Sequence, residues 1–452
     1  MFHCSHCDSQ HLKWQGRCGE CGKWGTLSEE STGQTSKRKN KGGAKAAPVL
    51  DLTKTQSGSH ARVKTGIDEL DRVLSGGLVP GSVTLLAGEP GIGKSTLVAE
   101  LASTFNPAGR IQEKVPTLEK NSSKSPIRPR GSTGGSRAYY ASGEESEGQV
   151  LMRFGRLDID PSSISFSNAT EVGSIIAAAE KLKPSMLIVD SIQTMIPEEV
   201  DTLPGSPSSV RAATAQLIGY AKSSNVPVVI IGQVTKEGSI AGPKTLEHLV
   251  DTLLTLEGDR SAMYRILRAS KNRFGSTDEV GIFEMTSTGM KAVLNPSARF
   301  LEERAPGSGS VVTCVMEGTR PLLVEIQALA EKSLYANPIR RTSGFDPSRL
   351  QMLLAIIGKR AGVATSGQDI YVNVVGGMKI KETAADLAVC AAIISSITDK
   401  PVDQQTVVIG ELGLGGEVRS VPFLDRRLKE ASRLGLENSL SPKTTKHIKD
   451  LR

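Results

Sequence analysis

No run of 18 or more apolar residues occurs in the 452-residue chain, which excludes a transmembrane helix. The opening residues Met1-Phe2-His3-Cys4-Ser5-His6-Cys7 lack the apolar core of a signal peptide, which argues against secretion and for the cytoplasm. Cysteine is scarce, and six in a chain this long do not make a disulfide scaffold. No short internal repeat is visible. What is present suits folded domains: 38% hydrophobic and 23% charged residues, in a length that points to two to four units.

Acids are missing or rare in two stretches. Residues 36–47 hold five basic residues and no acid, and residues 107–137 hold seven basic residues and two acids. Together they carry +10 of charge, so the rest of this +7 chain nets −3. A nucleic-acid partner fits that pattern, and so do solvated basic linkers.

Four of the six cysteines fall within the first 21 residues, as Cys4-x2-Cys7-x10-Cys18-x2-Cys21. Two CxxC pairs supply the four thiolates of a tetrahedral Zn²⁺ site, and Gly16, Gly19 and Gly22 allow the turns of the two knuckles. Four closed ligands leave no open position, so the zinc is expected to be structural and to supply the folding energy of this small unit. His3, His6 and His11 are nearby spares, and redox-active cysteines are the alternative.

The composition divides the chain into a metal unit at 1–27, a polar, Lys-rich linker at 28–60, a third unit at 61–290 and a last unit at 291–452. Within the third, apolar β runs at 83–87, 138–142, 186–190 and 226–231 alternate with helical stretches at 96–103, 172–183 and 211–222. That alternation predicts a parallel sheet with helices on both faces. Segments 252–257, 263–269 and 281–286 are spaced like an antiparallel meander on its edge, and 106–137 reads as a disordered insertion. Beyond a break at 305–310, strands at 311–316, 321–327, 369–375 and 406–411 and helices at 347–360, 382–397 and 424–434 make a separate mixed α/β unit.

Gly88-Glu89-Pro90-Gly91-Ile92-Gly93-Lys94-Ser95-Thr96 contains GxxxxGKS between a strand and a helix, the context of an ATP-binding phosphate loop. Lys94 is placed to reach the β- and γ-phosphates and Ser95 to ligate Mg²⁺. Asp190 ends the apolar strand LIVD and fits the second Mg²⁺ position. Hydrolysis needs a group that orients or deprotonates water; Glu144 and Glu145 follow the 138–142 strand, and Gln233 follows the 226–231 strand.

These motifs, with TGIDELDRVLSGGLVPGS, SGEES, LIVDSIQT and KNRFG in one order, resemble the RadA/Sms family of bacterial DNA-repair ATPases over nearly the whole chain. The resemblance implies an α/β fold: a RecA-like P-loop ATPase core, an N-terminal zinc ribbon and a C-terminal Lon-protease-like domain. It implies a homo-hexameric ring with ATP between subunits, Glu144 as the catalytic glutamate, and Lys271 and Arg273 of KNRFG reaching a neighbour's γ-phosphate. DNA-binding loops would fall near 197–210 and 234–247, with Lys236 and Lys244 as phosphate contacts. The partners implied are single-stranded and branched DNA and a strand-exchange recombinase, and the activity is branch migration.

The C-terminal unit resembles the Lon protease domain, which uses a Ser nucleophile with a Lys base. In GGMKIKETAADLAVCAA, Ala384 stands at the Ser position; in VRSVPFLDRRLKEA, Asp425 stands at the Lys position. Alanine cannot attack a carbonyl, so peptidase chemistry is expected to be absent. Neither Ser366 nor Ser395 has a visible base at the right offset. The competing readings are an ATP-dependent peptidase and a nucleotide-gated assembly module; the missing Ser–Lys pair speaks against the first.

Overall fold

The computed structural model describes residues 2–29 except 8 and 12, then 62–105, 137–198, 203–233, 246–258, 264–293, 295–301, 304–334 and 337–451. The first unit is a three-stranded antiparallel sheet of β1 (Phe2–Cys4), β2 (Gln10–His11) and β3 (Leu27–Glu29), in the order β2-β1-β3. Strand β3 runs two residues past the expected end of the unit, because Phe2 of β1 pairs with Glu29.

The second unit begins with α1 (Asp68–Val73), β4 (Val83–Gly88), α2 (Lys94–Thr104), β5 (Ala138–Ser142), α3 (Glu147–Arg156) and β6 (Ile164–Ser167). It continues with α4 (Val172–Leu182), β7 (Met186–Asp190), α5 (Pro207–Ser224) and β8 (Val228–Gln233). Four more strands extend the sheet: β9 (Thr252–Glu257) joins β4 in parallel, and β10 (Tyr264–Asn272), β11 (Val280–Thr286) and β12 (Gly289–Ala292) fold back as an antiparallel meander. The sheet order is β12-β11-β10-β9-β4-β8-β7-β5-β6. Strand β12 carries this sheet to Ala292, beyond the expected boundary at 290, and the 106–137 insertion lies outside the described residues except for Arg137, whose carbonyl accepts from Ser185 N.

The central strands are apolar on both sides because both sides are covered. Leu86, Met186 and Ile188 point into the cluster under α1, α2 and α3; Val83, Leu85, Ala87, Leu187 and Val189 point into the cluster under α4 and α5. Each such side chain contributes about 1.5–3 kcal/mol on burial. Helix starts are locally encoded: Ser146 forms a capping box with Gln149, and Ser206 caps α5 with Pro207 behind it.

The last unit holds α6 (Pro296–Leu301), β13 (Ser310–Glu317), β14 (Arg320–Lys332), β15 (Arg340–Ser343), α7 (Pro347–Ile356), β16 (Gln368–Val374) and α8 (Asp386–Thr398). After these come β17 (Thr406–Val408), the small hairpin β18 (Glu411–Leu412) and β19 (Val418–Arg419), α9 (Leu424–Arg433) and β20 (Asn438–Leu440). Its six-stranded sheet has the order β15-β16-β14-β13-β17-β20. The helix expected over 347–360 ends at Ile356 and widens into a π turn over Ile357–Ala361. Helix α8 is apolar nearly all round and is buried from Asp386 to Ser395, as such a helix must be.

Two ion pairs tie the ATPase sheet to this unit. Glu69 of α1 is fully buried; it accepts from Ile282 N of β11 at 2.9 Å and from Arg320 Nη1 of β14 at 2.6 Å. Arg268 of β10 bridges Glu257 and Glu317. Glu69→Ala strands a buried guanidinium and a buried backbone N–H, so it is expected to destabilise the fold by about 3 kcal/mol. Chemical denaturation of the variant against wild type checks this.

A second, half-buried carboxyl projects from α2, the helix that follows the phosphate loop. Glu100 accepts from Met290 N at 2.8 Å, and burial pushes its pKa up to about 7. The unfolded carboxyl ionises near 4.5, so between the two values the folded state holds the extra proton and stability falls as pH rises. Glu100→Gln keeps an acceptor but cannot ionise; its melting temperature is expected to lose the wild-type decline across that window.

Candidate functional site: a nucleotide site at the strand ends and a four-cysteine cluster

The ladder fixes the four strand ends as two offset pairs: Val189 lies opposite Ile230, so Asp190 stands two residues short of Gln233. Gly88 of β4 pairs with Gln233 of β8, and Ser142 of β5 pairs with Asp190 of β7. The chain between Gly88 and Lys94 turns back over these ends. Gly93, at φ 114°, caps α2 in the left-handed region, where a side chain would be strained and would also press on Met290 Sδ. Gly88 has no room for a Cβ, which would lie 2.7 Å from the Leu256 carbonyl. Lys94 is buried, and its Nζ donates to the carbonyls of Gly88 and Glu89 at 2.8 Å each. Burial lowers its pKa, while the negative charges of Asp190 and Glu144 act the other way.

Asp190 is almost fully buried and accepts from Tyr140 Oη at 2.6 Å; Ser95 also hydrogen-bonds to it. Burial raises the Asp190 pKa, and the two hydroxyl donors hold it down. Glu144 Oε1 accepts from Ser191 Oγ and, at 2.9 Å, from Gln233 Nε2. The structure therefore brings Lys94, Ser95, Asp190, Glu144 and Gln233 together at one end of the sheet. Glu145 is turned away into an ion pair with Arg153, and burial raises its pKa.

Lys271 and Arg273 are not at this end. Lys271 Nζ donates to the carbonyls of Glu247 and Val250 at 2.6 and 2.9 Å. Arg273 pairs with Asp251 at 3.0 Å, and Asp251 in turn accepts from Val83 N. Val83 starts the strand that Gly88 ends, so Arg273 lies roughly 17 Å along the strand from its own phosphate loop. Lys236 and Lys244, and most of the expected DNA loops, lie outside the described residues; Pro207–Val210 of the 197–210 stretch is the first turn of α5.

In the first unit the four cysteine sulfurs lie within 4.8 Å of one another. The Cys4–Cys21 and Cys7–Cys18 separations are 3.7 and 3.6 Å. A tetrahedron with ~2.3 Å metal–sulfur bonds has edges of about 3.8 Å, so the residues fit a tetrathiolate ion. The backbone N–H of Cys21 and the Ser9 hydroxyl hold the Cys18 thiol down to about 5, towards the thiolate a metal requires. His6 Nε2 is 2.6 Å from Lys23 Nζ, whereas His11 Nε2 is 3.0 Å from Ser9 Oγ and 3.4 Å from Cys18 Sγ, a hydrogen-bonding neighbour of the four-sulfur cluster.

In the last unit Ala384 is buried in the cluster of Val312, Cys314, Leu323 and Val407. Asp425 is exposed and paired with Lys443 at 2.6 Å. Between them, Arg427 is 1% exposed and holds Glu382 through two bonds of 2.7 and 2.6 Å. Ser395 donates to the Lys400 carbonyl and accepts from Gly309 N, a structural use; Ser366 is exposed.

Sequence reasoning missed Tyr140, Ser191, Arg153 and Asp251. Ser191 was within reach, since it follows Asp190 directly. Tyr140 carried no local signal, because a tyrosine inside an apolar strand is ordinary core until its partner strand is known.

Fold and site together define a RecA-like P-loop ATPase that carries a four-cysteine metal ribbon and a second α/β unit. The chain matches the family described as DnaB-like helicase C terminal domain over residues 62–240, Rubredoxin metal binding domain over 2–29 and Subunit ChlI of Mg-chelatase over 348–445. It is 44% identical over 441 residues to the DNA repair protein RadA of Aquifex aeolicus, covering 98% of this chain and 93% of that one. Its identity to the proteins of the same name from Pseudomonas aeruginosa and Bacillus subtilis is 42%, covering 98% of this chain and 92% of each relative. The chain belongs to the RadA/Sms family. No helix among the described residues is long and apolar enough to cross a membrane.

Tyr140 is placed to hold Asp190 in one orientation. Removing a hydrogen bond to a charged acceptor costs about 1.5–3 kcal/mol. Tyr140→Phe is expected to cut ATP turnover about tenfold and to raise the Mg²⁺ concentration needed for half-maximal rate. The acid limb of the pH–rate profile should move up, because the lost donor was lowering the Asp190 pKa.

Proposed function

We propose that this DNA-repair ATPase is a DNA-dependent motor that promotes branch migration of recombination intermediates on single-stranded DNA. The observation that carries the reading is the Glu144 carboxylate, tied to Gln233 and Ser191 beside the Lys94–Asp190 pair. A carboxylate so held is a base for an attacking water, and an amide bonded to it can report whether a γ-phosphate is present. Lys94 gives up its two carbonyl partners to phosphate oxygens, and the backbone N–H groups of 88–96 cradle them. Ser95 and Asp190 would hold a Mg²⁺ ion, which supplies charge neutralisation on the β- and γ-oxygens.

Lys271 and Arg273 lie at the far end of the sheet from their own phosphate loop, so any action on ATP needs a second copy. A closed ring of six is the arrangement we assign, with each subunit's Lys271 and Arg273 directed at its neighbour's nucleotide. Lys236 and Lys244 are assigned to the DNA backbone. The four cysteines are assigned a structural Zn²⁺. The last unit is assigned to assembly rather than peptide cleavage, since Ala384 is sealed in an apolar cluster and Asp425 is paired with Lys443. A strand-exchange recombinase as partner, a role after DNA damage and a cytoplasmic location complete the reading.

ATP hydrolysis with and without single-stranded DNA tests it. Lys94→Ala is expected to abolish turnover, and Glu144→Gln to lower it by about 10²–10⁴ while still binding ATP. A Lys94-dependent rate indifferent to DNA would favour a nucleotide-gated assembly module instead.

A further inference from the structure

The chain has two tryptophans, Trp14 and Trp24, and both lie in the four-cysteine ribbon. Neither serves its core. The buried cluster there is Cys4, Cys18 and Leu27, packed by Phe2, Cys7 and Cys21, whereas the indoles are 63% and 75% exposed. An indole is the largest apolar surface a residue can offer, and two left in water on so small a unit mark a surface meant to be covered.

Trp24 lies on a short hairpin, and Trp14 lies just before the hairpin's first strand. Trp24 is bridged to Arg17, three residues from Trp14, and Gly25 N donates to the Gly16 carbonyl. The Trp24 ring rests against Gly16, where a Cβ would come within 3.4 Å, so a small residue at 16 gives the ring a flat backing. Exposed Lys13, Arg17 and Lys23 flank the pair. Across residues 9–28 the one acid is Glu20, and the five basic residues of 36–47 follow in the chain. Four thiolates with a divalent ion leave two negative charges; over residues 1–47, eight basic residues against four acids and that site leave a net of +2, an excess supplied by the 36–47 stretch.

We infer that Trp14 and Trp24 form a stacking platform for the bases of single-stranded DNA, with Lys13, Arg17 and Lys23 at the phosphates. Every base has a π-face, so such a platform is sequence-tolerant, as a motor's contact must be. The inference rests on the DNA-motor reading but can fail separately from it.

Because the ribbon holds both indoles, the tryptophan emission of the full-length, zinc-loaded protein, excited selectively over the six tyrosines, reports on this surface alone. An oligo-dT strand is expected to quench it. An abasic strand of equal length, which has phosphates but no bases, should not. Trp14→Ala/Trp24→Ala should bind labelled oligo-dT about tenfold more weakly, at unchanged zinc content and unchanged DNA-free turnover. Quenching by the abasic strand to the same extent, or equal binding by the double variant, overturns the inference. Silent indoles in a protein whose ATPase responds to DNA also overturn it. Quenched indoles with a DNA-indifferent ATPase would instead keep the platform and remove the motor.

Discussion

Backbone hydrogen bonds between parallel strands β4, β8, β7 and β5 set the level at which each strand ends, and the nucleotide site exists because those ends fall within two residues of one another. Gly88 is fixed opposite Gln233, and Ser142 opposite Asp190. A one-residue slip in any pairing would turn every side chain of that strand to the other face. The register is locked because both faces are buried: alternate residues of β4 and β7 feed two separate apolar clusters. Packing under the helices thus decides where a carboxylate at the strand's end lies.

Charge in the site follows from that burial. Lys94 and Asp190 are both taken out of water, which disfavours the charged form of each. Their opposite charges, the two loop carbonyls on Lys94 and the two hydroxyls on Asp190 offset the loss. Tyr140 is central to this balance: its hydroxyl meets Asp190, its ring is buried within β5, and burial beside Asp190 raises its own pKa well above the ordinary value, so it stays a donor. Ser142, Gly143 and Glu144 follow on the same strand end, so one strand supplies both the support for Asp190 and the approach to Glu144.

The far end of the sheet is organised differently. Asp251 ties Val83 N to Arg273, and Lys271 is held by two carbonyls, so the KNRFG segment is fixed on the edge that also meets the C-terminal unit. There Glu69 and Arg320 join α1, β11 and β14. The C-terminal unit buries the apolar α8 and, beside the cluster that holds Ala384, pairs buried Arg427 with the partly exposed Glu382.

By itself, the sequence determined whatever depends on short-range spacing. Two CxxC knuckles, the glycine positions of 88–93 and the apolar runs of the central strands each act over a few residues, where turn geometry and side-chain period leave few choices. Helix ends were less legible: the helix expected over 211–222 runs from Pro207 to Ser224 behind its Ser206 cap, and the one expected from 382 starts at Asp386. Only the tertiary structure decided which of Glu144 and Glu145 faces the phosphate loop: Arg153, eight residues along on α3, takes the second and leaves the first to Ser191 and Gln233. It also decided that Tyr140 touches Asp190 fifty residues away and that Arg273 lies a strand's length from its own loop. Contacts of that kind are set by strand order and register, which local preference does not encode, because they are won by burying faces contributed from distant parts of the chain.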